Sequence, residues 1–210
     1  MTVALAENVS TAPFAGCQKF PGKALVLYQK KAFLDAATCA ALVERIDSLR
    51  RPSTISDSNG DPFNRTSETA DLFGGDPLID GVNALLDRMS GQPGSHGEVL
   101  QGQRYAVGQE FKFHTDYFEP GGPDWEANTR VGGQRTWTLM TYLNQPDEGG
   151  ATRFKRIGKI FQPEAGKLLA WCNLDSAGRP NYETLHAGMK VHRGTKYIIT
   201  KWYRERRMRA

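Results

Sequence analysis

Residues 98–118 read EVLQGQRYAVGQEFKFHTDYF. Two extended pieces, 98–107 and 110–114, are separated by a turn at Gly108, and the second runs straight into His114-Thr115-Asp116. Short pieces of the same character recur to the end of the chain, over 136–143, 152–154, 167–172, 185–187 and 195–203, divided by Gly- and Pro-bearing turns. Strands this short, with no helical pattern between them, point to an antiparallel sandwich or jelly roll and away from βαβ units. The 118–133 connection carries Pro120, Gly121, Gly122, Pro123, Gly132 and Gly133, and it reads as a mobile loop.

Upstream the periodicity changes. Residues 1–22 read as a loose N-terminal arm, and Ala24 to Tyr28 is a short apolar strand candidate. Asp35 is placed to cap a helix in which Cys39, Leu42, Val43, Ile46 and Leu49 fall on one face, with Pro52 beyond its end. Residues 53–75 carry Asn59-Gly60, Asp61-Pro62 and Gly74-Gly75 and read mostly as loop. Asp76-Pro77 opens a second helix with Leu78, Ile79, Val82, Leu85, Leu86 and Met89 on its apolar face, closed at Ser90-Gly91.

Composition narrows the classes. A chain of 210 residues is one domain by length. Its longest apolar runs, Ala24 to Tyr28 and Leu168 to Cys172, fall far short of the roughly 20 residues of a membrane-spanning helix. The net charge of +4 is accounted for by the last ten residues, where Lys201, Arg204, Arg206, Arg207 and Arg209 stand against Glu205 alone. The body is therefore neutral, which disfavours a nucleic-acid-wrapping surface and marks a local basic tail. Cys17, Cys39 and Cys172 do not make a disulfide framework and suit a reducing compartment. Glu7 interrupts any apolar leader, so the expected location is cytoplasmic.

The chemistry begins at His114-Thr115-Asp116. On a strand, residues i and i+2 share a face, so an imidazole and a carboxylate project side by side, as a divalent metal requires. His186, on the late 185–187 piece, is available as a third ligand. Two imidazoles and one carboxylate on one side of an ion are the facial set of non-haem Fe(II) oxygenases. Ten residues on, Lys196 precedes Tyr197, Ile198 and Ile199, and a lysine buried in an apolar strand needs an anionic partner. Each signal alone has a plainer reading, a surface His beside an Asp and a lysine on the outward face.

Taken together the blocks are recognisable. Tyr105 to Phe118, Gln134-Arg135-Thr136, Thr141-Tyr142-Leu143-Asn144, Glu148 to Phe154, His186-Ala187-Gly188 and the run from Val191 through Lys196 to Arg204 resemble, in order, the prolyl 4-hydroxylase-type 2-oxoglutarate/Fe(II) dioxygenases. The likeness extends more loosely upstream through Phe33-Leu34, Cys39, Leu42 and Arg65-Thr66-Ser67. It implies a mainly β fold with supporting helices, a double-stranded β-helix or cupin-like jelly roll. Helical support would span 33–90 and the jelly-roll core 98–204, within a domain over 23–210.

The resemblance also implies roles. His114, Asp116 and His186 would hold Fe(II). Lys196 would pair with the distal carboxylate of 2-oxoglutarate, with Thr152 hydrogen-bonded to it and Tyr105 contacting the cosubstrate. Tyr142 and Trp202 would line the pocket, and Arg135 would contact the substrate backbone. Phe111 departs from the usual tyrosine of its block, and Arg204 occupies a variable position at the pocket mouth. The implied reaction consumes O2, releases succinate and CO2, and hydroxylates proline in a peptide or protein, with ascorbate as reductant. The 53–75 and 118–133 segments are candidates to close over substrate. Three readings compete: hydroxylation of a free amino acid or other small molecule, nucleic-acid dealkylation resting on the basic tail, and a non-catalytic jelly-roll binding module.

Overall fold

The computed structural model describes residues 12–53 and 64–208. The chain runs β1 (Gln18–Lys19), β2 (Leu27–Lys30), α1 (Ala36–Leu49), β3 (Arg51–Pro52), β4 (Glu68–Leu72), α2 (Pro77–Ser90), β5 (Leu100–Tyr105), β6 (Phe111–His114) and α3 (Trp125–Thr129). It continues through β7 (Arg135–Tyr142), β8 (Glu148–Gly149), β9 (Thr152–Phe154), β10 (Lys159–Phe161), β11 (Leu168–Cys172), β12 (His186–Gly188), β13 (Val191–Arg193) and β14 (Lys196–Arg204). An eight-stranded sheet in the order β1-β2-β11-β7-β14-β5-β4-β3 faces a four-stranded sheet in the order β10-β9-β12-β6, and β8 and β13 form a separate pair. This is the expected mainly β jelly roll with supporting helices.

Strand alternation divides the core in two. On β14, Tyr197, Ile199 and Tyr203 join the helices in one apolar cluster, while Ile198 joins Tyr105, Met140, Tyr142, Phe154 and Trp171 between the sheets. On β11, Leu168 and Ala170 face the helices, and Leu169 and Trp171 face the inner layer. Because side-chain direction reverses at each residue, Lys196, Thr200 and Trp202 are carried inward with Ile198. One strand thus supplies both the fold's central packing and a polar row for the site.

The helices seat as the caps dictate. The Thr38 amide donates to the Asp35 carboxylate at 2.7 Å, and the Leu78 amide to Asp76 at 3.0 Å. Gly91 ends α2 in the left-handed region at φ 67°, where a side chain would be strained. Leu42 and Ile46 of α1 and Ile79, Val82 and Leu86 of α2 are buried against the large sheet.

Three expectations are corrected. The stretch read as a loose arm is packed over its described part, since Phe14 is buried and stacks on Tyr28 at 4.5 Å, and β1 pairs with β2. The stretch read as loop over 53–75 contains β4, an inner strand of the large sheet paired with both β3 and β5. The turns read at Asn59-Gly60 and Asp61-Pro62 lie outside the described residues. The 118–133 connection holds the short helix α3. Among the described residues no helix is long and apolar enough to cross a membrane.

Candidate active site

His114 ends β6 and His186 opens β12, and the two are directly paired across the small sheet. That register brings their rings within 4.3 Å. Asp116 follows β6 by two residues and turns inward beneath β7. The ligating atoms of His114, Asp116 and His186 all lie within 4.8 Å of one another. Nε2 of His114 is 3.8 Å from one Asp116 oxygen, and Nε2 of His186 is 3.9 Å from the other.

Each ligand is fixed from behind. His114 Nδ1 is 2.7 Å from the Lys112 carbonyl and His186 Nδ1 is 2.8 Å from the Thr184 carbonyl, so each Nδ1–H donates to backbone and each Nε2 lone pair faces the centre. The Thr138 hydroxyl donates to Asp116 at 2.7 Å, and the Asn173 amide donates to Thr138 at 2.9 Å. Burial, with His186 alongside, pushes His114 down to about 3, which keeps it in the neutral form that ligates. Burial by itself raises the Asp116 carboxyl, but His186, His114, Arg135 and the Thr138 hydrogen bond outweigh it and hold the group below its usual range. Two imidazoles and an ionised carboxylate converging on one point are a donor set that fits a divalent ion such as Fe(II).

Lys196 opens β14 opposite Tyr105 of β5. It is 1% exposed, and its ammonium lies 4.9 Å from the Tyr105 ring and 5.5 Å from the Tyr142 ring. Among the described residues no carboxylate is paired with it, and burial alone lowers it to about 7. The cavity it enters is also lined by Tyr105, His114, Asp116, Thr152, His186 and Trp202. Its free volume is about 30 Å³. An outer cleft of about 470 Å³ opens beside it, with His114, Asp116, Arg135 and Trp202 in its wall.

Seven of the nine residues singled out by sequence line the inner cavity; the other two are placed differently. Tyr142 is fully buried behind Thr152, and its hydroxyl donates to Thr152 Oγ1 at 2.6 Å. Burial raises its phenol pKa, so it stays a proton donor. Arg135 lies in the cleft wall, but its fork is occupied by Glu98 through two bonds of 2.7 Å, and its guanidinium stacks on Trp202 at 4.1 Å. It braces the wall rather than reaching out for substrate. Arg204 is likewise internal, 5% exposed, donating to Glu98 at 2.8 Å and to the Gly133 carbonyl. Lys201 is buried too and donates to the Glu98 carbonyl at 2.6 Å. The basic tail is therefore in part a set of interior cations. Sequence reading missed Glu98, Thr138 and Asn173. Only the alternation of Thr138 with Met140 and Tyr142 on β7 hinted at an inward polar group.

Residues 100–204 match the family described as the 2OG-Fe(II) oxygenase superfamily. The chain belongs to that superfamily. This oxygenase is 34% identical to rat (Rattus norvegicus) prolyl 4-hydroxylase subunit alpha-1 over 144 residues, 68% of this chain and 27% of that protein. It is 32% identical to the human (Homo sapiens) subunit alpha-1 over 163 residues, 75% of this chain and 30% of that protein. The oxygenase thus spans under a third of the length of these curated relatives. Among solved structures it is similar to the viral collagen prolyl hydroxylase of Paramecium Bursaria Chlorella virus-1 in complex with 2OG, at a TM-score of 0.66 and 25% identity, covering 85% of this chain and 94% of that one. A Pseudomonas putida prolyl-4-hydroxylase shares the fold at a TM-score of 0.59 and 19% identity, over 86% of this chain and 92% of that one.

Proposed function

We propose that this oxygenase hydroxylates proline within a peptide or protein, using Fe(II), 2-oxoglutarate and O2. The observation that carries the reading is one cavity holding both the converging His114, Asp116 and His186 and the buried Lys196, which has no carboxylate partner among the described residues. Fe(II) and 2-oxoglutarate bound there would supply the conversion of a C–H bond to C–OH by O2, with succinate and CO2 as coproducts.

The chain's own residues do the rest. The two imidazoles of His114 and His186 and the Asp116 carboxylate would hold the ion. Lys196 supplies the positive charge for the distal carboxylate of the diacid, and Thr152 stands beside it with its oxygen already oriented by Tyr142. The Tyr105 hydroxyl is held by Gln103 at 2.7 Å, so its ring forms a fixed wall. Trp202, Phe111 and Trp171 line the cavity and exclude water. Arg135, neutralised by Glu98, fixes Trp202 and donates to the Asp116 carbonyl at 3.3 Å. The open outer cleft suits an extended peptide better than a small molecule that is fully enclosed.

Two finer points belong to the same reading. A reductant such as ascorbate would return the metal to Fe(II) after unproductive turnover. The three free thiols, Cys17, Cys39 and Cys172, suit the reducing cytoplasm.

Succinate release, measured with Fe(II), 2-oxoglutarate and a panel of proline peptides and free proline, tests the function. Stimulation by a peptide, absent in His114→Ala, is the expected result. Turnover stimulated only by free proline would move the substrate to a small molecule. Iron binding without any succinate would leave a binding module.

A further inference from the structure

The small sheet turns its outer face toward the cleft mouth, and this face carries charge that the site does not use. Phe113 of β6 is 38% exposed and Tyr182, just before β12, is 53% exposed, and both rings line the outer cleft. Three cations, Arg153 on β9 and Lys155 and Arg156 just after it, gather over them. Arg153 lies 5.8 Å and Lys155 5.2 Å from the Phe113 ring centre, and Arg156 lies 5.2 Å from that of Tyr182. The register explains the grouping: Arg153 pairs with Ala187 of β12, and the Lys155 amide donates to the Leu185 carbonyl at 2.9 Å.

Only Arg156 has a carboxylate partner, Glu183 at 3.6 Å; Arg153 and Lys155 have none among the described residues. The opposite wall carries Glu119 and Asp124; of the two arginines that line the cleft, Arg135 is paired with Glu98 and Arg65 is buried, donating to Ser67, Thr69 and Gln101. A charged segment crossing the cleft is therefore sorted: an acidic residue is attracted to the β9 side and repelled from the 119–124 side. The exposed rings add flat apolar area on which the backbone and short side chains of such a segment can rest.

We propose that the rim formed by Phe113, Arg153, Lys155, Arg156 and Tyr182 is a specificity surface that takes acidic residues flanking the target proline of a peptide substrate. It rests on the reading of the oxygenase as a peptide hydroxylase and adds the charge class of the substrate. The occupant is an acidic polypeptide rather than a nucleic acid, because the exposed cations are gathered on one rim while Glu119 and Asp124, in the same cleft, would repel the rest of a phosphodiester chain.

Fluorescein-labelled peptides bearing one proline and flanked by Glu, Ala or Lys would be titrated against the protein by anisotropy, with succinate release followed in parallel. The Glu-flanked peptide is expected to bind about tenfold tighter than the Ala-flanked one, by an amount that shrinks as salt rises. The double reversal Arg153→Glu/Lys155→Glu is expected to invert the order, so that the Lys-flanked peptide becomes the better ligand. That inversion is a gain of binding and cannot arise from misfolding. Equal binding of the three peptides, or a double variant that weakens all of them alike, would overturn the proposal while peptide-stimulated succinate still upheld the hydroxylase. Charge-dependent binding with no succinate would leave the surface standing and remove the hydroxylase. An oligothymidylate that binds tighter than the Glu-flanked peptide would also overturn it, in favour of single-stranded nucleic acid.

Discussion

Lys196 concentrates the physics of the site in one side chain. Burial without an anion lowers it to about 7, far below the roughly 10.4 of the unfolded chain. Protonation then favours the unfolded state, so the cost to folding grows as pH falls from about 10 towards 7 and is complete below that. Lys196→Met is accordingly expected to raise the melting temperature at pH 7 while abolishing 2-oxoglutarate binding; a fall in both would show the lysine to be structural. A bound diacid reverses the balance by requiring the protonated form. The apparent Kd for 2-oxoglutarate should therefore rise roughly fifty-fold between pH 7 and 9, read by calorimetry, and a flat profile would remove Lys196 from the carboxylate. Thr138 is a second residue-scale test. Its hydroxyl holds one Asp116 oxygen at 2.7 Å, and Thr138→Val keeps the shape while deleting that bond. Loss of such outer partners typically lowers metal affinity about 10- to 100-fold, and Co(II) titration followed by its visible bands measures it. The lysine was legible in the sequence because Tyr197, Ile198 and Ile199 follow it. Thr138 was not, since a threonine in a β run is also an ordinary strand former.

At the scale of elements, α1 packs on β5, the strand whose pairing with β14 sets Tyr105 opposite Lys196. The contact is close: a methyl group placed on Gly102 of β5 would overlap Ile46 Cγ1 of α1 and lie 2.8 Å from its Cδ1. Gly102→Ala is expected to cost about 1–3 kcal/mol in chemical denaturation, and adding Ile46→Val should return part of it. Additive losses in the double variant would mean the two residues do not meet. The elements that reading along the chain recovered are those with a strong local pattern. α1 and α2 announced themselves through Asp35 and Asp76 caps and a 3.6-residue apolar face, and β14 through Tyr197, Ile198 and Ile199. β4 escaped because Glu68 and Asp71 lie within it, Gly74-Gly75 follow close behind, and its pairing lies with β5, far along the chain. β10 and β13, three residues each, are too short to show a period of two. Their existence is decided by partners, as is the seating of Phe14, which no local rule anticipates.

Across the whole molecule, Glu98 joins parts that sequence order keeps apart. Its carboxylate takes Arg135 of β7 and Arg204 of β14, and its carbonyl takes Lys201. Through Arg204 the same group reaches the carbonyls of Asn128 and Gly133, at the two ends of the turn that leads from α3 into β7. The cleft wall, the last strand and the 118–133 connection are thus tied to one buried charge. Burial alone would raise the Glu98 carboxyl, but Arg135 and Arg204 more than offset it and hold it below the usual range. A depressed carboxylate stabilises the fold at pH values above its unfolded pKa of about 4.3 and loses that contribution as pH falls through its folded value. Glu98→Gln removes the charge but keeps the shape, leaving two guanidinium groups buried without an anion. The expected loss at pH 7 is about 3–5 kcal/mol, seen as a lower denaturation midpoint. The wild-type melting temperature should drop steeply as pH falls below about 4.3, and the Gln variant, with one fewer carboxylate to protonate, should follow a shallower curve. Parallel curves would place the stabilising charge elsewhere. If the tie also sets the cleft, the variant's KM for peptide should rise more than its Kd for 2-oxoglutarate, because Glu98 meets the inner cavity at Trp202, through its backbone amide, and not at Lys196, Tyr105 or Thr152.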